Sequence, residues 1–326
     1  MPLASIIVPS YNVAATLPDT VLALLSQTCP DFEIIIVDDG STDETAQIAN
    51  SFMTDPRVRL LQQRNRGLAG ARNTGIAAAK GGYIGFCDAD DIWEPKKLAT
   101  HIAHLQRNAE VGVSYSGSAL IDEAGHMTGM AQKPRLNGVT AAHILKRNPV
   151  GNGSAPVIRR AVFDAIAYRP KNETERDWYF DETFRQSEDI ECWLRIALTT
   201  DWEFAGVDGL LTQYRIASGG LSAATDRQLA AWERMIEKLS MLAPQFFAKH
   251  TAAARAYQLR YLCRRAVSDL DATRAMALGA QGLKTSIRPL IEEPAKSLVT
   301  IAATLVLRVA GKRTIQSLMM LKGARA

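Results

Sequence analysis

The first 120 residues limit the possible folds most, because short runs of β-branched residues alternate there with helix-forming stretches. Continuous apolar strands need cover on both faces, and crossover helices supply it, so this rhythm predicts βαβ units on a parallel sheet. Strands are expected at residues 5–9, 33–37, 58–61, 83–87 and 111–116, with helices at 16–26 and 68–79. Thr42 or Asp43 stands where it would cap a helix after the second strand. A hairpin is expected around residues 122–125. Past Gly138 the pattern loosens into a Gly/Asn/Pro-rich loop at 148–153, a strand at 155–158, a polar aromatic stretch at 172–184 and a helix at 188–198. From Ser222 onward the chain reads as almost wholly helical, and residues 260–283 fit one antiparallel helix pair.

At 326 residues and 47% hydrophobic composition, the chain can bury a full core. Its charge divides unevenly. Residues 1–224 carry 21 Lys+Arg and 27 Asp+Glu, whereas 225–326 carry 17 and 7, a net of +10. The division predicts a large α/β domain over 1–224 and a basic helical extension over 225–326, whose charge points to nucleic acid or a phospholipid surface. Nucleic acid is disfavoured, because the basic residues are not interleaved with aromatics in any known module. Cys29, Cys87, Cys192 and Cys263 are widely separated, which argues against a zinc site or disulfide framework and for a reducing compartment. Residues 1–9 run straight into the first strand without a charged leader, so no signal peptide is expected there.

In open α/β sheets ligands bind beyond the carboxyl ends of the strands. Those ends here are polar or acidic: Pro9-Ser10-Tyr11-Asn12, Asp38-Asp39-Gly40-Ser41 and Asp88-Ala89-Asp90-Asp91. A fourth cluster, Asn65-Arg66-Gly67 with Ala71-Arg72-Asn73-Thr74-Gly75, opens a helix whose N-terminus suits an anion. Four such motifs, in this order within 91 residues, closely resemble the family 2 glycosyltransferases, and the likeness extends more loosely to about residue 222. The resemblance implies the GT-A fold, a Rossmann-like mixed and mainly parallel sheet with helices on both faces. It also implies a nucleotide-binding half at 1–116 and an acceptor half at 117–224. The activity implied is inverting transfer of a sugar from a nucleotide-diphosphate donor, a UDP-sugar by expectation, to an acceptor hydroxyl. Such chemistry belongs to cell-surface polysaccharide, exopolysaccharide or lipid-linked glycan synthesis.

A departing nucleotide diphosphate needs its charge neutralised, and Mn²⁺ or Mg²⁺ on one or two carboxylates supplies that. By resemblance Asp90 ligates the metal, while Asp88 contacts the ribose or helps hold the ion; a plain acidic turn is the alternative. Asp39 would accept a hydrogen bond from the base and Asp38 would support its turn, unless the pair merely caps a helix. Pro9 and Tyr11 are set on the donor side, Tyr11 as a stacking platform. Arg72 either faces the nucleotide or bridges a carboxylate. In the second half, Glu188-Asp189 opens a helix; Asp189 is expected as general base, with Glu188 and Asn152 on the acceptor side. The plainer alternative is that Ser187 caps this helix and the acidic pair favours its dipole. The segment Tyr214 to Ser222 resembles a loop that closes over the donor, with Arg215 on the diphosphate. Ala217 stands where many relatives carry histidine.

Two rivals remain at this stage. A sugar nucleotidyltransferase would carry a Gly-rich, basic loop after strand one, which is missing. A catalytically silent nucleotide-sugar-binding or scaffold protein would bind donor without turnover. Near the C-terminus, Lys296, Thr300, Thr304, Arg308 and Lys312 recur every four residues in an otherwise apolar run, and so form a polar stripe on a helix. The run at 298–309 is shorter than the roughly 20 apolar residues a spanning helix needs, and contains Arg308. Residues 284–326 are therefore expected either on an anionic membrane surface, at the inner face of the cell membrane, or packed within a helical domain.

Overall fold

The computed structural model describes residues 1–216 and 225–323. Two compact units emerge from it. One is built from Met1–Ala141 and the chain from Pro149 onward through the last strand; the other takes Ala142–Asn148 and the C-terminal helices.

The first unit opens with β1 (Ala4–Ser10), α1 (Leu17–Leu25), β2 (Phe32–Asp38), α2 (Thr45–Ser51), β3 (Val58–Gln62), α3 (Gly67–Ala78) and β4 (Tyr83–Phe86). These four strands pair in parallel in the order β3-β2-β1-β4. Every residue of β1 and β2 is buried, which is why both read as unbroken apolar runs. Gly75 lets α3 lie close on β1: a Cβ there would come within 2.3 Å of the Ile7 side chain.

Beyond β4 come β5 (Ile92–Trp93), α4 (Lys97–Arg107), β6 (Val111–Ile121) and β7 (Met127–Gln132). Next is α5 (Ala141–Lys146), most of which belongs to the second unit, then β8 (Val157–Arg159), α6 (Arg160–Ile166), α7 (Glu188–Thr199) and β9 (Glu203–Arg215). Among the described residues all nine strands form one sheet, ordered β3-β2-β1-β4-β8-β6-β9-β5, with β7 on β6. Short β8 runs antiparallel to both β4 and β6 and so joins the parallel half to the rest. The 13-residue β9 lies outside the strands expected from sequence, since two glycines, Asp208 and Gln213 interrupt its apolar character. It matters for the site. β5 follows directly on Asp88-Ala89-Asp90-Asp91 and pairs with Thr212 and Gln213, so the end of β9 delivers Tyr214 and Arg215 beside the acidic loop.

The second unit contains α8 (Thr225–Ser240), α9 (Pro244–Ser268), α10 (Ala272–Thr285), α11 (Arg288–Glu292) and α12 (Pro294–Gly323), the last broken at Gly311 with φ 81°. α9 and α10 form the expected helix pair; Leu270 takes a left-handed turn between them and Asp271 caps α10 by accepting from Arg274 N–H. The core of this unit gathers Cys263, Ala266, Val267, Ala275, Leu307 and Ile315. The stripe on α12 needs correction. Thr300 and Thr304 are buried with Ser297 and Leu307, while Leu298, Val299, Leu305 and Val309 are exposed. Each threonine hydroxyl donates to the carbonyl four residues back, Thr300 to Lys296 and Thr304 to Thr300, so its polarity is absorbed within the helix. The helical segment Pro294–Ser317 is also long and apolar enough, by length and composition, to cross a membrane, whereas the run counted in the sequence is shorter. The helix continues through Arg308 and beyond the end of that run at Val309.

Candidate active site

Three strand ends and two helix starts build the site. After β1, Asn12 adopts a left-handed conformation and its side-chain oxygen accepts from Thr42 N–H at 2.8 Å, tying the first loop to the second. Tyr11, next to it, is half exposed, while Pro9 is buried within β1. After β2, both Asp38 and Asp39 are buried. Asp38 accepts from Ser41 N–H at 3.0 Å and closes its own turn. Asp39 accepts from the N–H groups of Arg66 and Gly67 at 2.8 and 2.7 Å, and from Gln63 Nε2 at 2.6 Å. The anion expected at the start of α3 is therefore the protein's own Asp39 carboxylate. Three of its roughly four lone-pair positions are occupied within the fold.

The rest of that cluster anchors a distant segment. The Arg66 guanidinium meets Glu182 and Glu175 at 2.7 and 2.9 Å, and also Glu173. Asn73 donates to the Phe180 carbonyl at 2.8 Å and accepts from Tyr179 and Phe180 N–H. Residues 173–182 thus hang on α3, and the chain leading into α7 is fixed with them. Ser187, with φ 61° and ψ 19°, turns that chain into the helix. A non-glycine residue in this conformation costs on the order of 1–3 kcal/mol, and its place directly before Glu188-Asp189 fits a strained functional turn.

Arg72 connects the two acidic groups. It is buried on α3, with Nη2 3.0 Å from Asp88 Oδ1 and Nη1 3.0 Å from Glu188 Oε1. Of the two expected roles, the structure places it on carboxylates. Gly153 makes room for this: a Cβ there would lie 2.2 Å from Arg72 Nη2 and 3.0 Å from Asp88 Oδ2. Burial opposes the guanidinium charge, yet Asp88, Glu188 and Asp189 together hold it above its ordinary value.

Arg72 is shared among Asp88, Glu188 and Asp189, and the electrostatics show the strain on it. Burial, then the charge of Asp88, pushes Asp90 up to about 6. Glu188 is pushed up to about 7, first by burial and then by Asp189, with Arg72 opposing. Asp189, half-buried, is raised by burial and by Asp88, against Arg72 and a 2.8 Å hydrogen bond from Ile190 N–H. Asp91 is raised well above its ordinary value by burial, Asp88 and Asp90. Its role is structural: it accepts from Ser154 Oγ at 2.5 Å and from Arg215 N–H at 2.9 Å. Ser154 Oγ in turn accepts from Asp88 N–H at 2.8 Å, so this one hydroxyl pins both ends of the acidic loop.

Two expected site residues face elsewhere. The Arg215 guanidinium donates to the carbonyls of Asp90, Asp122 and Glu123, bracing the acidic loop against the β6–β7 hairpin rather than reaching for a diphosphate. Asn152 is buried and bonded to Ser118 and Gln132, and it accepts from Ser154 N–H. It supports the acidic loop from behind. Of the expected closing segment Tyr214 to Ser222, Tyr214 and Arg215 end β9, and 217–222 lie outside the described residues. Sequence reading placed Tyr214 only at the start of the closing segment and Gly153 only at the end of the 148–153 loop, whereas the Tyr214 phenol, half-buried, is pushed up by burial and by Asp91, Asp88, Asp90 and Asp189. Ser154 was missed, because it acts through Asp88 and Asp91, more than 60 residues away.

The mixed, mainly parallel sheet with its covering helices is that of the GT-A class of fold, as the solved transferases below show. Residues 5–167 match the model for Glycosyl transferase family 2. The UDP-Glc:alpha-D-GlcNAc-diphosphoundecaprenol beta-1,3-glucosyltransferase WfaP of Escherichia coli is 30% identical over 253 residues, covering 74% of this chain and 89% of that protein. The crystal structure of S. aureus TarS 1-349 in complex with UDP-GlcNAc aligns with a TM-score of 0.60 at 17% identity, over 94% of this chain and 92% of that one. The mannosyltransferase PcManGT from Pyrobaculum calidifontis, in complex with GDP-Man and Mn2+, aligns at 0.57 and 20% identity, over 95% and 88%. The chain belongs to glycosyl transferase family 2. It spans about a third or less of the length of three other curated glycosyltransferases it matches.

Proposed function

We propose that this protein transfers a sugar from a nucleotide-diphosphate donor, a UDP-sugar, to a hydroxyl of a lipid-linked saccharide, with inversion at the anomeric carbon. The observation that carries the reading is Arg72, which draws Asp88 of the acidic loop and Glu188 of the α7 start onto one buried guanidinium. Donor-side and acceptor-side carboxylates therefore share one cluster. The acceptor class follows WfaP, whose acceptor is a GlcNAc-diphosphoundecaprenol.

Asp189 is the general base. Its neighbour Glu188 is buried and held by Arg72, whereas Asp189 keeps some exposure to an incoming hydroxyl. The raised pKa of Asp189 suits it to take the acceptor proton as the oxygen attacks C1 and the diphosphate leaves. Tyr11 stacks on the base, Pro9 and Asp38 shape that wall, and Asp39 offers the base its remaining lone pair. A divalent ion, Mn²⁺ or Mg²⁺, fits beside Asp90 and Asp88, where burial and then the charge of Asp88 raise Asp90 to about 6. When bound it neutralises the leaving diphosphate. The protein works at the inner face of the cell membrane as a peripheral enzyme, consistent with a lipid-linked acceptor.

The test is donor turnover with UDP-sugars with and without EDTA, in wild type and in Asp189→Asn and Asp90→Asn. Loss of the base is expected to lower kcat by roughly 10²–10⁴ while nucleotide affinity persists. An Asp189→Asn enzyme with wild-type turnover would overturn the assignment.

A further inference from the structure

The helical unit holds a groove of about 240 Å³ between α9, α10, α11 and α12. Small residues hollow it, among them Ala256, Gly279 and Ala280, and its floor includes Ser297, Thr300 and Thr304. The floor hydroxyls have no need of water, since Ser297 Oγ donates to the Pro289 carbonyl at 2.6 Å and both threonines bond within α12. Arg260, at the groove edge, is already spent on Ser297 Oγ and Glu293. What remains is an almost wholly apolar trough that offers no group to a polar ligand.

Apolar side chains are also exposed on the elements that build the trough. Ile287, Ile291, Leu298 and Val299 are more than half exposed and Val309 is 86% exposed, and exposed apolar residues gathered on one stretch of chain mark a surface that meets a partner or a membrane. Lys284, Arg308 and Lys312 stand exposed on the same helices, within a segment of net charge +10. That charge selects the occupant. A second copy of the chain would set one basic face against another, and nucleic acid offers nothing to cover valines and leucines. An anionic bilayer offers both a negative surface and hydrocarbon.

We propose that this face docks on an anionic phospholipid bilayer and that the groove takes up one acyl chain of a lipid in its surface layer. This rests on the peripheral-membrane reading above and adds a defined chain-binding site to it. Two measurements on the full chain separate the parts. Sedimentation with phosphatidylglycerol/phosphatidylcholine vesicles reads docking, and the fluorescence of cis-parinaric acid, displaced by short-chain phosphatidylglycerol, reads the groove. Val299→Asp with Val309→Asp is expected to weaken vesicle binding at least about tenfold, with parinarate binding intact. Ala280→Trp, which fills the trough from an exposed helix position, is expected to abolish parinarate binding, while Ala280→Ser retains it. Unchanged circular dichroism and donor turnover verify the fold of each variant. Vesicle binding with no parinarate signal would sink the groove and leave the peripheral reading standing. Parinarate binding that survives Ala280→Trp, displacement by undecaprenyl phosphate alone, or no vesicle binding would each overturn the proposal. So would a dimer in solution that protects Val299 and Val309.

Discussion

At the scale of single residues the site is governed by the imbalance between one buried guanidinium and the carboxylates around it. Glu188 and Asp189 titrate as a pair, so the measured pKa belongs to both. Because the base must be unprotonated to act, and burial with the charge of Asp88 raises Asp189, kcat/KM is expected to rise with pH through a limb shifted upward from the ordinary carboxylate range. In Glu188→Gln, Arg72 is no longer shared with an ionised neighbour and acts more strongly on Asp189. The rising limb should then move to lower pH, which a pH–rate profile of both enzymes would show; a limb that stays put would mean another group controls it.

Elements matter through the loops they deliver. The acidic loop is held from three sides, by Ser154 beneath it, the end of β9 beside it and Arg72 in front. Gly153 has no spare room, since a Cβ would sit 2.2 Å from a guanidinium nitrogen that is itself clamped between two carboxylates. Gly153→Ala is expected to cut transfer at least tenfold with a melting temperature close to wild type, as displacement of Arg72 disturbs the cluster more than the core. Wild-type turnover in this variant would show that the guanidinium position is not critical. Such supports escape sequence reading. Asn152 and Arg215 lie in segments where the family resemblance sets acceptor and diphosphate contacts, yet both brace the loop instead, because their partners come from β6, β7 and the β6–β7 turn.

Across the whole molecule, two separate cores are present, one on the sheet and one among the C-terminal helices. Leu307 belongs to the second and is almost fully buried. Leu307→Ala should cost about 2–5 kcal/mol there, moving one calorimetric transition down while donor turnover at low temperature is unchanged. A single transition shifting as a whole would show instead that the two cores unfold together. The sequence by itself determined the parallel half of the sheet, the family and the acidic motifs, since unbroken apolar strands and their polar ends are local patterns that survive in any context. Tertiary structure alone decided which carboxylates share Arg72, that Asp39 is the anion of α3, and that the threonines of α12 turn inward. These depend on contacts across dozens to more than a hundred residues, where burial and pairing override what each segment signals alone.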